Sequence, residues 1–106
     1  AAFMARIGTA EPQSLGNMAW SFAKLGLVDM PLLNALAAEA INKCEHFDPQ
    51  GLTNTIWAFA TLDLLPRPLM HAMAATAMPK IAEFSPQNLG NLVWACARKE
   101  VLHEPL

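Results

Sequence analysis

Trp20, Trp57 and Trp94 are the only indoles of the chain, and they stand 37 residues apart. An asparagine precedes each by three residues (Asn17, Asn54, Asn91), and a glutamine precedes each asparagine by four (Gln13, Gln50, Gln87). Amide side chains hydrogen-bond base edges, and indole rings stack on bases. One such set per repeated unit is what a modular reader of single-stranded RNA needs. A code must vary, so the positions that differ between copies are the specificity candidates: Ser14/Gly51/Asn88, Ser21/Ala58/Ala95 and Lys24/Thr61/Arg98. Arg6, Lys43 and Lys80 follow the same period and offer phosphate contacts spaced one per unit. The RNA-contact candidates are therefore Asn17, Ser21, Lys24, Asn54, Thr61, Asn91, Arg98, Lys43 and Lys80. A plainer alternative stands beside this one. Asparagine forms a ladder to backbone, tryptophan packs between neighbouring hairpins, and the basic residues complement the negative ends of helices.

Other chemistries find little support. His46, His71 and His103 share no metal-ligand spacing, and His46 and His103 read as solvated. No glycine-rich phosphate loop, carboxylate pair or nucleophile–base pair stands out. The expectation is a non-enzyme with no metal and no cofactor. Cys44 and Cys96 lie 52 residues apart with no C-x-x-C, and read as buried free thiols.

The elements that position the stripe come from a repeat of 37 residues. Pro12-Gln13, Pro49-Gln50 and Pro86-Gln87 open its copies, followed in register by Leu15/Leu52/Leu89 and Ala23/Ala60/Ala97. Segments 12–48 and 49–85 share 17 of 37 residues without a gap. Each unit holds two helices. The first starts at a proline, which suits the first helical position because its missing N–H would be unpaired there. Asp48 and Ser85 are good N-caps and Glu11 a poorer one. Leu15, Met18, Ala19, Phe22 and Leu25 recur at helical spacing and make the inward face, and Gly26 and Asp63 mark helix ends. Gln13, Asn17, Trp20, Ser21 and Lys24 fall opposite. The second helix starts near Pro31, Pro68 and Pro105. Its apolar stripe runs from Leu32 to Cys44 in one copy and from Leu69 to Ile81 in the next. Pro79 should end or kink it early.

Phe3, Met4, Arg6 and Ile7 align with residues 40–44. Residues 1–11 thus read as the second helix of an earlier unit, 12–48 as repeat 1, 49–85 as repeat 2 and 86–106 as a partial repeat 3. About six helices result, in an all-α right-handed superhelical stack, an α-solenoid of helix–turn–helix repeats. Further repeats of the same chain are expected on either side. Gly16 with Ala23, and Gly90 with Ala97, make a small flank on the first helix; Met18 with Leu25, and Leu92, make a bulky one. Stacking predicts bulky against small, so leucine at Gly90 should overpack a helix contact. The methionines, Met30, Met70, Met73 and Met78 among them, read as core gap-fillers.

Composition bounds the partners. Seven Lys+Arg against nine Asp+Glu give a formal charge of −2, which excludes a strongly basic nucleic-acid module. Charged residues are only 15% and AVILMFWYC 54%, so apolar surface is left for neighbours to cover. No charge-free stretch exceeds 14 residues, short of the roughly 20 that a spanning helix needs.

The pattern P-Q-x-L-x-N-x-x-W-A-x-A-x-L, clearest in Pro49–Leu62 with its block Trp57-Ala58-Phe59-Ala60, resembles the octotricopeptide repeat family. Its period is similar to that of the heptatricopeptide repeats of RAP-domain proteins. The resemblance covers essentially the whole chain, although the third copy has Cys96 for Phe and Lys99 for Leu and no RAP domain is present. It implies a chloroplast or mitochondrial RNA-binding module acting in RNA stability, processing or translation, with Trp20, Trp57, Trp94, Leu15, Leu52 and Leu89 as repeat-structural residues. The alternative function is a protein–protein scaffold, a subunit of a large organellar complex such as a ribosome or photosystem.

Overall fold

Every described helix starts with a device written in its sequence. In the computed structural model, which describes residues 11–103 and side chains up to Arg98, helix α1 spans Pro12–Leu25, α2 Met30–Asn42, α3 Pro49–Thr61, α4 Arg67–Ala77 and α5 Pro86–His103. Proline sits in the first turn of α1 to α4. Asp48 Oδ1 accepts from Gly51 N–H at 2.7 Å and Ser85 Oγ from Asn88 N–H at 3.0 Å, as their N-cap positions require. Glu11 makes no side-chain cap bond. Asp29, which sequence reasoning passed over, caps α2 by accepting from Leu32 N–H at 3.2 Å.

The ends are equally local. Gly26 takes the left-handed conformation (φ 68°), and the N–H of Leu27 reaches back to the Phe22 carbonyl at 2.9 Å. Asp63 occupies the same place after α3 with φ 60°, a conformation that glycine accepts freely and aspartate at some strain. α4 stops at Ala77 and continues as a 3-10 segment, Met78–Glu83, that carries Pro79. The helix thus ends early where the proline denies it a backbone donor. A shorter 3-10 segment, Cys44–His46, follows α2.

The described residues are all-helical and form two layers. α1 packs along α3 and α3 along α5, while α2 packs on α4 behind them. Between the layers lie Leu15, Leu33, Leu36, Leu52, Ile56, Phe59, Leu69 and Met73, each at most 2% exposed. Full burial of such side chains contributes about 1.5–3 kcal/mol each. Phe47 and Phe84 plug the joints between units and are also buried.

Several expectations need correction. The α1–α3 seam is small against small, not bulky against small. A Cβ on Gly16 would lie 3.4 Å from Thr55 Oγ1 and 3.5 Å from the Gly51 carbonyl. Gly16 thus lies against Gly51 and Thr55, while Leu25 stays 70% exposed. Gly90 meets nothing within 4 Å, so it is not a close contact in this chain. Met30 and Met78 are exposed rather than core, though Met73 is buried. No disulfide joins Cys44 and Cys96, and both are half-buried rather than buried. The readings of Phe3, Met4, Arg6, Ile7 and Pro105, and of the side chains of Lys99 and His103, lie outside the described residues.

Candidate nucleic-acid interface

The first-helix layer turns one stripe away from the core, because Leu15, Leu52 and Leu89 point inward on the opposite face. Along α1 the stripe is Gln13, Asn17, Trp20, Ser21 and Lys24, all exposed. α3 contributes Gln50, Asn54, Trp57 and Thr61; α5 contributes Gln87, Asn91, Trp94 and Arg98. The three tryptophans therefore lie on one surface, one per helix.

They are not equivalent. Trp57, in the middle, is half-buried and packs on Trp94 with ring centroids 6.4 Å apart and planes tilted by 34°. Such tilted pairs are favourable beyond the area they bury. Trp20 and Trp94 remain 41% and 43% exposed and offer ring surface to a base. Each also carries a cation. Lys24 Nζ lies 5.3 Å from the Trp20 ring centroid, and the Arg98 guanidinium lies 5.5 Å from that of Trp94.

The asparagine row is held along its own helix rather than across units at the one place where a bond is defined. Gln50 Nε2 donates to Asn54 Oδ1 at 2.9 Å, an i,i+4 pair. That bond fixes the Asn54 amide with its NH₂ group available as a donor.

The variable positions divide. Ala58 and Ala95 are 1% and 0% exposed, and Gly51 and Asn88 are buried. These belong to the seams between successive first helices, where each packs on its predecessor. Ser14 and Ser21 are exposed on α1 alone. In α3, Thr61 Oγ1 is buried with no hydrogen-bond partner. Arg98 is tied down: its Nε donates to the Ala60 carbonyl and to Asp63 Oδ1, each at 3.0 Å, and its Nη2 lies 2.9 Å from the same carboxylate oxygen.

Lys43 and Lys80 stand apart from the stripe, behind the first-helix layer. Lys43 pairs with Glu39 at 3.5 Å. Lys80 Nζ donates to the carbonyls of Glu45 and Phe47, both at 3.2 Å, and so ties the segment after α4 to the end of α2. His46 and His71 are exposed, and among the described residues no cluster of His, Cys, Asp or Glu is arranged to hold a metal. No described helix is long and apolar enough to cross a membrane. Sequence reasoning missed Asp63 as a partner of the stripe. Its signal was available: a carboxylate stands where the first copy has Gly26, within reach of the arginine one unit later.

The family model of the RNA-editing substrate-binding complex 6 protein matches residues 3–104, nearly the whole chain. A comparison with curated proteins finds no match. The family match overturns the resemblance to octotricopeptide and heptatricopeptide repeats. The block that carried that resemblance explains why it misled. Ala58 and Ala60 are buried small residues in helix seams, and Trp57 sits beside another tryptophan. Close helix stacking alone selects such residues, so they report packing before ancestry.

Proposed function

Since the chain belongs to the RNA-editing substrate-binding complex 6 protein family, we propose that it is an RNA-contacting, non-enzymatic segment of an RNA-editing assembly in the mitochondrion. Single-stranded RNA lies across the outer face of α1, α3 and α5. The chloroplast, and the roles in RNA stability or translation, rested on the overturned resemblance and are dropped. The observation that carries the proposal is the tryptophan row. Exposed indoles flanked by amides, with a cation over each outer ring, combine stacking surface, hydrogen-bond donors and positive charge on one face. Aromatic platforms with flanking basic residues are how proteins hold single strands with modest sequence preference. Residues 12–48 and 49–85 act as two repeats of a helical stack that further units extend into a superhelix.

A scaffold role is the second reading, and a specific observation favours it. Leu25, Leu27, Val28 and Met30 are exposed at the α1–α2 turn, whereas Leu62 and Leu64, the counterparts of Leu25 and Leu27, are half-buried and Leu65, that of Val28, is buried. A protein neighbour, or another unit, fits that patch better than RNA does. Binding of the full chain to single-stranded RNA over a salt series separates the two. The RNA face predicts that log K falls linearly with log[salt], by about 0.7 for each phosphate neutralised. Absence of salt-dependent binding favours the scaffold.

A further inference from the structure

The three units carry Lys24, Thr61 and Arg98 at the same repeat position, but only one of these side chains is a cation without a carboxylate partner. Thr61 is neutral. Arg98 spends its guanidinium on two oxygens of the preceding unit, the Ala60 carbonyl and the Asp63 carboxylate, at 2.9–3.0 Å. Asp63 does this from a left-handed backbone (φ 60°) at the place where the first copy uses Gly26 (φ 68°). Glycine there would be unstrained, so the carboxylate is kept against a backbone penalty. Its partner is Arg98. Lys24 differs: it is exposed, and its contact is the face of Trp20. Lys43 and Lys80 bond to Glu39 and to backbone carbonyls behind the first-helix layer.

From this asymmetry we infer that Lys24 and Trp20 form the nucleotide subsite of the face, with a phosphate on Lys24 and a base on Trp20, and that Asp63 withholds Arg98 from RNA. The inference rests on the RNA-face reading and adds to it which unit makes the charged contact. It also accounts for how a chain of net charge −2 engages a polyanion: one cation is displayed, and the other is neutralised in place.

The test is the salt dependence of binding of the full chain to an unstructured mixed-sequence single-stranded RNA, with thermal melts of every variant. Lys24→Met is expected to flatten the log K against log[salt] slope by about 0.7, one phosphate, and Lys24→Arg to restore it. Trp20→Ala weakens binding by about tenfold with the slope unchanged, the size of one lost stacking contact. Asp63→Asn keeps a side chain that tolerates the left-handed backbone. It removes the negative charge that neutralises Arg98 and is expected to steepen the slope by about 0.7. Arg98→Met lowers the melting temperature and leaves the slope alone. If the parent chain binds RNA and both Lys24→Met and Asp63→Asn keep its slope, the inference is overturned while the RNA face survives. If the parent chain shows no salt-dependent binding, the RNA face itself falls and this subsite with it.

Discussion

Three glycines on the first helices occupy three different surroundings, and alanine or leucine at each should move stability in different directions. At Gly90 an added Cβ meets nothing within 4 Å. Alanine there gains only helix propensity, about 0.5–1 kcal/mol. At Gly16 the Cβ would sit 3.4–3.7 Å from Thr55 Oγ1 and the Gly51 backbone, ordinary contact, so alanine is accommodated with a similar gain. Leucine is different. Its further carbons have to enter a seam already filled by Gly51 and Thr55, and overpacking of this kind costs about 1–3 kcal/mol. Gly16→Leu is therefore expected to destabilise by about 1–2 kcal/mol after the propensity gain, whereas Gly90→Leu is neutral or better. At Gly51 even alanine is too large. Its Cβ would lie 3.1 Å from both Asp48 Oδ1 and Phe47 Cδ2, and Phe47 is only 1% exposed. Alanine there must push the N-cap carboxylate off the Gly51 N–H or shift the buried ring, so a net loss of about 1 kcal/mol is expected. For a domain near this size 1 kcal/mol moves Tm by about 4–8 °C. Thermal unfolding followed by circular dichroism should then rank Gly90→Ala highest and Gly51→Ala and Gly16→Leu lowest. A Gly90→Leu chain that melts as low as Gly16→Leu would refute the seam assignment.

Three further outcomes follow from single contacts. Asp48→Ala removes the 2.7 Å cap bond and should cost about 1 kcal/mol in denaturant titration, whereas Glu11→Ala, with no cap bond to lose, should melt as the parent does. Thr53 is 1% exposed and its Oγ1 has no hydrogen-bond partner, so Thr53→Val should raise Tm, by about 1 kcal/mol in stability; a lowered Tm would mean that the hydroxyl is satisfied in solution. Lys80→Met loses two bonds to the Glu45 and Phe47 carbonyls and should destabilise by about 1 kcal/mol, with RNA binding unaltered in its salt slope.

The helices were legible because their signals are local. Proline after Asp48 or Ser85 marks a start, Gly26 an end, and Pro79 an early stop, and each depends only on backbone bonds within a few residues. The outward stripe was legible for the same reason, since helical spacing alone separates Trp20 from Leu15. The seams were not. Whether Gly16 meets a bulky or a small flank depends on how far one helix slides along the next, which no periodicity within one helix encodes. Ala58 and Ala95 are buried where α3 and α5 each pack on the helix before, so two of the three residues at that supposed code position serve packing. The salt bridge of Arg98, a residue that the sequence offers as an RNA contact, is not legible there because its partner, Asp63, lies 35 residues away and comes near only when the helices stack. Family membership was misread because the repeated residues are those that stacking requires.

The placement of α3 between α1 and α5 has a consequence for how the chain opens. α3 has neighbours on both flanks and the second layer behind it, and eight of its thirteen residues are buried. Among the described residues, α1 and α5 bury less of their surface, with Leu25 70% and Val93 67% exposed. Local opening costs least where a helix is held by the fewest buried contacts. Amide protons of α3 should therefore be the last to exchange with deuterium, and those of α1 and α5 should go first. The same gradient means that the tryptophan at the middle of the face sits on the most durable helix, while the two exposed ones ride on helices that open more often.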